Sequence, residues 1–205
     1  MKNKPRILPR IYFNRPTLTV ARSLIGKYLV RSINGRMLAG KIVEVEAYVG
    51  PQDKACHGSK GRTQRTDVMF GPAGAAYVYL IYGMYHCLNV VTEREEFPSA
   101  VLIRAIELDG ELIDGPGRLC RALEIDRRLN LVDLTIGESL WFEDRGEVVG
   151  SGGKGNGRRA SQNRCRLCGQ VGRETLAIQI TYGHNSQADT THKKTGRHRI
   201  GPVPP

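Results

Sequence analysis

The segment from Val43 to His57 constrains the fold of this chain more than any other. Residues 43–49 read V-E-V-E-A-Y-V, an alternation with period two that predicts a half-buried strand, and Gly50-Pro51 then breaks the pattern. Glu46 and Tyr48 fall on the same face of that strand, one pleat apart. A carboxylate beside a phenol on a strand face suggests a pocket that holds a flat ligand and places a base against it.

Other segments carry weaker element signals. They predict a helix that begins with Thr17 as its cap, a strand over Met37–Val49, a β-rich stretch over 75–91 with a hairpin at Tyr82-Gly83, a strand over Ala100–Leu108, a helix opened by Gly115-Pro116, and a short strand over Thr175–Tyr182. Strands and helices do not alternate regularly, which favours an α+β fold over a βαβ sheet. We expect residues 1–150 to form one domain and residues 151–205 to form an atypical basic tail with little order.

The charge of the chain is unevenly distributed. The formal net charge is +11, and residues 151–205 hold ten Lys or Arg against two acidic residues. This balance favours a polyanionic partner, nucleic acid first, although a solubilising tail has the same composition. The apolar runs fall short of the roughly 20 residues that span a bilayer, so we expect no membrane partner. The N-terminus lacks the apolar segment of a secretory signal, and we therefore expect an intracellular protein.

Five cysteines, an odd number spread along the chain, do not form a disulfide framework. Cys165-x-x-Cys168 has the spacing of half a zinc site. Because no second C-x-x-C accompanies it, free thiols are the stronger interpretation.

Several polar and aromatic residues could carry chemistry. Glu46 is the best candidate for a general base, because a fixed, partly desolvated carboxylate can take a proton from water; a solvated strand glutamate is the competing interpretation. Tyr48, His57 and Tyr79 could stack on a base, although each is singly more typical of core or rim packing. Tyr82, at the predicted hairpin tip, cannot bury itself against its own strand and suggests a wedge that enters a duplex.

Basic residues supply two further candidates. Arg104 interrupts the apolar run V-L-I-R-A-I and needs an anionic partner, which could be Glu46, a phosphate or a structural acid. The segment H-G-S-K-G-R-T-Q-R mixes glycines, hydroxyls and bases, which suits phosphate contact through Arg62 and Arg65. It matches no nucleotide-cofactor fingerprint.

Four long motifs together resemble the alkyladenine (3-methyladenine) DNA glycosylase family in its bacterial form. They are V-E-V-E-A-Y-V-G-P-Q-D-K-A-C-H, G-P-A-G-A-A-Y-V-Y-L-I-Y-G-M-Y-H-C-L-N-V, V-L-I-R-A-I-E and G-P-G-R-L-C-R-A-L-E-I, within a likeness that runs from about residue 16 to 143. The resemblance implies one α+β domain with a curved, mainly antiparallel sheet flanked by helices. It also implies a monomeric, monofunctional hydrolase of the bacterial nucleoid that flips alkylated or deaminated purines out of double-stranded DNA. Such an enzyme needs no metal and no cofactor.

The resemblance further implies a role for each matching residue. These roles are Glu46 as the base that activates water, Arg104 as the residue that positions that water and the nucleotide, Tyr48 and His57 as one side of the base pocket with Tyr79 stacking opposite, Asn89 as the contact to the edge of the base, and Tyr82 as the wedge with Met84 beside it. The choice among 3-methyladenine, 7-methylguanine, hypoxanthine and ethenoadenine stays open.

After about residue 150 the likeness fails. Family members usually continue with Arg-(Ile/Val)-Gly-(Ile/Val) and then Pro-(Trp/Leu/Tyr)-Arg-Phe, whereas this chain continues with a polar, basic sequence. One hypothesis is a shift of reading frame near residues 150–165. Two alternatives to the enzyme therefore remain: a damaged-DNA-binding protein that cannot turn over, and a hydrolase of free nucleosides.

Overall fold

The long strand β3, Arg36–Tyr48, organises a curved antiparallel sheet. The computed structural model describes residues 4–146 together with the backbones of residues 164–167 and 178–181. The strands are β1 (Arg6–Ile7), β2 (Tyr28–Ile33), β3, β4 (Ala76–Ile81), β5 (Tyr85–Val91), β6 (Ala100–Leu108), β7 (Glu111–Asp114), β8 (Leu140–Asp144), β9 (Arg164–Leu167) and β10 (Ile178–Thr181). The main path runs β1-β8-β2-β3-β6-β5-β4, with β7 beside β6, β10 beside β3 and β9 beside β10. Together with its short helices, this sheet confirms the predicted α+β class.

Among the residues that the structure describes, three helices and three 3₁₀ turns flank the sheet. They are α1 (Arg10–Phe13), α2 (Thr17–Leu24) and α3 (Pro116–Ala122), with 3₁₀ turns at His57–Lys60, Asp67–Phe70 and Arg127–Leu129. None of the described helices is long and apolar enough to cross a membrane. The prediction of Thr17 as a cap was wrong, because Pro16 holds the N-cap position. Thr17 is the first helical residue, and its amide and hydroxyl donate to Glu93 Oε1 at 2.8 and 2.9 Å.

The alternation of β3 separates a core face from a site face. Val43, Val45 and Ala47 are at most 5% exposed, and Val45 and Ala47 belong to the main core cluster. The residues between them, Glu44 and Glu46, remain partly accessible. The period-two pattern therefore predicts which side chains this strand offers to solvent or to a ligand.

The pairing of β3 with β6 contains two compensating irregularities. The register passes from Ile42 opposite Ile106 to Glu44 opposite Ala105, and then to Val45 opposite Ile103. One residue on each strand, Val43 and Arg104, is thereby left without a direct partner. Such β-bulges bend a strand and re-aim a side chain, and this one lies where the Arg104 side chain meets two glutamates.

The tail supplies two of the described strands. β10 runs antiparallel to the second half of β3, with Gln179 at the register position opposite Glu46, and β9 pairs with β10. β10 lies within the stretch 175–182 for which alternation predicts a strand. The expectation of little order in the tail otherwise falls on residues outside the described ones.

Candidate active site

Four neighbouring strands contribute one residue each to a single row across the sheet. Tyr77 on β4 pairs with Asn89 on β5, Asn89 pairs with Leu102 on β6, and Leu102 pairs with Glu46 on β3. Directly opposed residues of an antiparallel pair share a face of the sheet, so the row gathers side chains from distant parts of the chain onto one surface. On each of these strands, the side chains two positions away from the row lie on the same face and extend this surface.

The Glu46 carboxylate is held at both of its oxygens. The Tyr48 hydroxyl donates to Oε2 at 2.7 Å, and Arg104 Nη1 donates to Oε1 at 3.0 Å. The Glu46 side chain is 16% exposed, so its rotamer is fixed while water can still reach it. Arg104 Nε also donates to Glu44 Oε1 at 3.2 Å, which gives the guanidinium two anionic partners.

The two donors keep their protons over the working range of pH. Burial raises the pKa of Tyr48 well above its ordinary value, and the neighbouring Glu46 charge raises it further. Burial by itself would lower the pKa of Arg104, but the Glu46 and Glu44 charges outweigh it and the pKa is raised. Glu46 therefore has one neutral and one cationic donor that do not compete for its role as proton acceptor.

An aromatic cavity of about 40 Å³ lies on the same face of the sheet. Its lining consists of Tyr48, Ala55, His57, Met69, Tyr77, Tyr79 and Asn89. The structure therefore brings together the four residues predicted for the base pocket, namely Tyr48, His57, Tyr79 and Asn89. The volume accommodates a few water molecules.

His57 and Tyr79 form one wall of this cavity rather than opposite walls. Their ring centroids are 4.7 Å apart in an edge-to-face arrangement, so a base does not fit between these two rings. The Tyr77 and Tyr79 rings also contact each other, with centroids 5.1 Å apart. Tyr48 is the aromatic ring of the lining that comes from a different strand.

The sequence analysis missed Tyr77, which holds two of the pocket residues. Its hydroxyl lies 2.9 Å from His57 Nδ1, and its main-chain carbonyl accepts from Asn89 Nδ2 at 3.2 Å. Tyr77 and Asn89 are each only 2% exposed. The alternation that places Tyr79 on the site face also places Tyr77 there. This alternation was therefore the sequence signal that could have identified Tyr77.

Asp53 is a second residue that the sequence analysis missed. It is 2% exposed, and its carboxylate accepts from the amides of Val49 and Ala55 at 3.1 and 3.0 Å. These bonds tie the loop after β3 into a fixed path toward His57. Aspartate after a Gly-Pro turn is typical of such a local bond, so its position offered a signal.

The tip of the β4–β5 hairpin is exposed to solvent. Tyr82 is 83% exposed and Met84 is 67% exposed. Tyr82 and Gly83 both have left-handed backbones, with φ of 51° and 69°, and the Met84 amide donates to the Ile81 carbonyl. This pattern fits the two central residues of a type I′ turn, which strains a bulky residue such as tyrosine. The predicted hairpin is present at the predicted position.

The two arginines proposed for phosphate contact have different surroundings. Arg62 is bound to Glu96 at 2.5 Å and to Asp67 at 3.4 Å, so carboxylates already engage its guanidinium. The Arg65 guanidinium instead lies over the Tyr79 ring, 5.0 Å from its centroid. Arg65 therefore contacts a ring of the aromatic cavity, although it lines a neighbouring cavity of about 420 Å³ and not the aromatic one.

The suggested zinc half-site falls outside the described side chains. The structure describes only the backbone of Cys165, and Cys168 lies outside the described residues.

Comparison with known proteins gives one consistent result. The family model for methylpurine-DNA glycosylase matches residues 11–165. A protein of Methanocella arvoryzae is 52% identical over 154 residues, which cover 67% of this chain and 77% of the relative. One of Legionella pneumophila (strain Corby) is 58% identical over 132 residues, with 63% and 72% covered, and one of Myxococcus xanthus is 55% identical over 128 residues, with 60% and 66% covered.

All three relatives are named "Putative 3-methyladenine DNA glycosylase". The matched region contains every strand and helix that carries a residue of the cavity, including Glu46 and Arg104. The chain therefore belongs to the methylpurine-DNA glycosylase family.

Proposed function

We propose that this protein removes alkylated purines of the 3-methyladenine class from duplex DNA by hydrolysing the N-glycosidic bond. The observation that carries the proposal is the Glu46 carboxylate, fixed between Tyr48 and Arg104 on the face of the sheet that holds the aromatic cavity. The reaction leaves a free base and an abasic site. It does not cut the strand.

The aromatic cavity suits a cationic base. A purine alkylated at N3 or N7 carries a positive charge, and its glycosidic bond is already weakened. Aromatic faces attract such a cation by about 0.5–2 kcal/mol. A base would lie between Tyr48 and the wall formed by His57 and Tyr79, with Asn89 at its edge. Because the cavity holds about 40 Å³, we expect the rings to move apart as the base enters.

Glu46 is the proposed general base. Each carboxylate oxygen has two lone-pair sites, so Oε1 and Oε2 can each accept a hydrogen bond from water in addition to the bond already made, and one of them then takes the proton. The positioned water would attack the sugar C1′ as the base leaves. The carboxylate charge also favours the oxocarbenium-like transition state of glycoside cleavage. Arg104 keeps the carboxylate pointing at that site.

Entry of the base requires that the nucleotide leave the helix. Flipping costs a few kcal/mol, and less for a damaged base, which adds selectivity. The exposed Tyr82 on its strained turn, with Met84 beside it, is the proposed wedge that fills the gap. The net charge of +11 supplies the sequence-independent, salt-sensitive part of DNA binding. We place the protein, as a monomer, at the bacterial nucleoid.

The test compares the full chain with a Glu46→Gln variant on methylated duplex DNA. Abasic sites are counted as alkali-labile strand breaks, and Glu46→Gln should lower their rate of formation by about 100-fold or more. Glu111→Gln, at an exposed position on β7, is the matched control and should retain the wild-type rate. If the wild type forms no abasic sites above the level of Glu46→Gln, only the alternative of damaged-DNA binding without turnover remains.

A second experiment tests the alternative that the protein is a hydrolase of free nucleosides. The proposed enzyme should lose activity steeply between 50 and 200 mM salt, the range over which about six to ten phosphate contacts weaken binding by roughly 10³–10⁵-fold. Release of base from free methylated nucleosides, without salt dependence and without activity on duplex DNA, would contradict the proposal.

A further inference from the structure

We propose that the cavity of about 420 Å³ beside the aromatic cavity is an anion site in which Arg65 and Arg127 together bind one phosphate of the DNA backbone, next to the flipped nucleotide. The lining of this cavity consists of Arg65, Arg127, Gln64, Asn130 and residues 77–80 of β4. The DNA as the source of the phosphate rests on the proposed function, whereas the anion site rests on this lining. The volume lies in the range of small-molecule sites, so it has room for a phosphate with its sugar.

The lining of this cavity is cationic and carries no carboxylate among its described residues. Within residues 4–146, neither Arg65 nor Arg127 lies within ion-pair distance of an acidic side chain. Two nearby arginines differ in this respect, because Arg62 binds Glu96 and Arg128 binds Asp126. Two positive charges in one cavity repel each other, and a bound anion removes that repulsion. The cavity therefore favours an anionic ligand.

The outer edge of β4 adds neutral donors to this cavity. The Ala76 amide donates to the Val132 carbonyl at 2.8 Å, on the side away from β5. The Val78 amide donates on the same side to Asn130 Oδ1 at 2.9 Å, which leaves Asn130 Nδ2 as a further donor. Because amides alternate between the two edges of a strand, the Leu80 amide points to this edge as well. No described residue accepts a hydrogen bond from it there.

This set of donors suits a phosphate. The planar guanidinium fork matches the spacing of phosphate oxygens and binds them through two parallel hydrogen bonds. The Leu80 amide and the Asn130 carboxamide can serve the oxygens that the arginines leave. Tyr77 and Tyr79 line this cavity and the aromatic cavity alike. A phosphate bound here is thus separated by a single wall from the base pocket, where the backbone of a flipped nucleotide would run.

A bound phosphate also changes the charge next to the base pocket. The Arg65 guanidinium lies over the Tyr79 ring, 5.0 Å from its centroid, and Tyr79 belongs to the wall against which the base would stack. An uncompensated guanidinium at this position repels a cationic methylpurine. The phosphate neutralises it, so the pocket accepts a cationic base better when the base arrives on DNA than when it arrives as a free nucleoside.

The decisive measurement is binding of the full chain to a duplex that contains an uncleavable tetrahydrofuran abasic-site analogue, over a series of salt concentrations. The logarithm of the association constant falls with the logarithm of the salt concentration, with a slope of about −0.9 for each neutralised phosphate. Because the two arginines share one phosphate, Arg65→Gln/Arg127→Gln should make the slope shallower by about 1 and not by about 2. Binding at about 0.1 M salt should weaken about tenfold.

The matched control is Arg22→Gln/Arg36→Gln, which removes the same charge at two exposed positions outside both cavities. It should leave the slope unchanged. Arg65 and Arg127 are exposed too, so their variant should fold, and an unchanged urea midpoint checks this. An equal change of slope in the two double variants would overturn the proposal, because net charge alone would then explain the effect. A change of about 2 would overturn the shared phosphate.

Single methylphosphonates, which carry no charge, locate the phosphate on the duplex. At one of the two phosphates that flank the analogue, this replacement should weaken binding by the wild type about tenfold. The same replacement should leave binding by Arg65→Gln/Arg127→Gln unchanged, since the interaction it removes is already absent. Equal losses for both proteins at both flanking positions would contradict the proposal.

Inorganic phosphate and polyglutamate serve as probes for other sources of the anion. Binding of either probe that requires the two arginines, with an unchanged salt slope on DNA, would overturn the assignment to the DNA backbone. Absence of excision by the wild type would count against the proposed function. Binding to the uncleavable duplex would still decide the phosphate site.

Discussion

Arg104 Nη1 donates to Glu46 Oε1 at 3.0 Å, and Arg104 Nε reaches Glu44 at 3.2 Å. One guanidinium on β6 therefore clamps two glutamates of β3 across a bulged stretch of the sheet. The arginine that interrupts an apolar strand is at once a structural ion pair and a support for the proposed base. Of the three anionic partners that the sequence leaves open for Arg104, the structure supplies two at once, namely Glu46 and a structural acid, Glu44.

Removing this clamp should affect both activity and stability. We expect Arg104→Ala to lower the excision rate about 100-fold, because a misplaced carboxylate no longer activates water efficiently. The free energy of unfolding should fall by about 1–2 kcal/mol, since two partly buried carboxylates lose their cation. Excision assays and urea denaturation measure the two effects. Arg36→Ala, at the exposed start of β3, is the control and should change neither.

The hairpin tip should show opposite effects on stability and function. Tyr82 has a left-handed backbone with φ of 51°, so Tyr82→Gly should raise the free energy of unfolding by about 1 kcal/mol through relief of strain. The same change should abolish most excision from damaged duplex DNA, because the proposed wedge is gone. Asn34→Gly, at φ of 48° in the β2–β3 hairpin, should leave excision intact. Full duplex activity in Tyr82→Gly would remove Tyr82 from the wedge role.

The tyrosines of the site should make the protein sensitive to alkali. Burial raises the pKa of Tyr48, Tyr77 and Tyr79 above the ordinary value of 10.0. Above pH 10 the unfolded chain loses these protons while the folded chain retains them, so stability present below pH 10 is lost as the pH rises. Urea denaturation between pH 8 and 11 measures this slope.

Tyr48→Phe should make that alkaline slope shallower, since one buried phenol no longer contributes. Tyr82→Phe, at an exposed position, is the matched control and should leave the slope unchanged. A slope that is the same in wild type and Tyr48→Phe would show that the Tyr48 hydroxyl ionises equally well in the folded chain.

The reading-frame hypothesis now makes a specific prediction about the gene. Synonymous codons for Gln162–Cys165 and the next base, CAG AAT CGG TGT C, read one nucleotide later as AGA ATC GGT GTC, which encodes Arg-Ile-Gly-Val. Codons for Thr175–Ile178 and the next base, ACC CTG GCG ATT C, read in the same displaced frame as CCC TGG CGA TTC, which encodes Pro-Trp-Arg-Phe. One displacement thus restores both family motifs in their order.

We therefore expect the gene to carry a one-nucleotide displacement between codons 150 and 162. Sequencing the gene checks this directly, and codons that do not read as these motifs in the displaced frame would contradict it. A gene with the frame restored should encode a chain that unfolds at higher urea concentration and excises methylated purines faster than the present chain.

Local patterns in the sequence predicted many of the residues on the face of the sheet that carries the candidate site. Alternation along β3 separated the core residues from Glu46 and Tyr48, and the Tyr-Gly pair located the hairpin tip at Tyr82. Thr17 was misplaced because capping preference ignores the distant carboxylate of Glu93 that binds it. Tyr77 was overlooked because a buried tyrosine on a strand looks like core until its partners are known.

By itself, the sequence indicated the four strands that carry the candidate site, the chemical types present on each face of those strands, and the family. Those properties follow from period-two alternation, turn residues and motif order, which are local along the chain. Only the tertiary structure decided that Glu46 is bound by Arg104 and that His57 shares a wall with Tyr79. Those contacts depend on the register between strands and on a β-bulge, which join residues far apart in sequence and which no local pattern encodes.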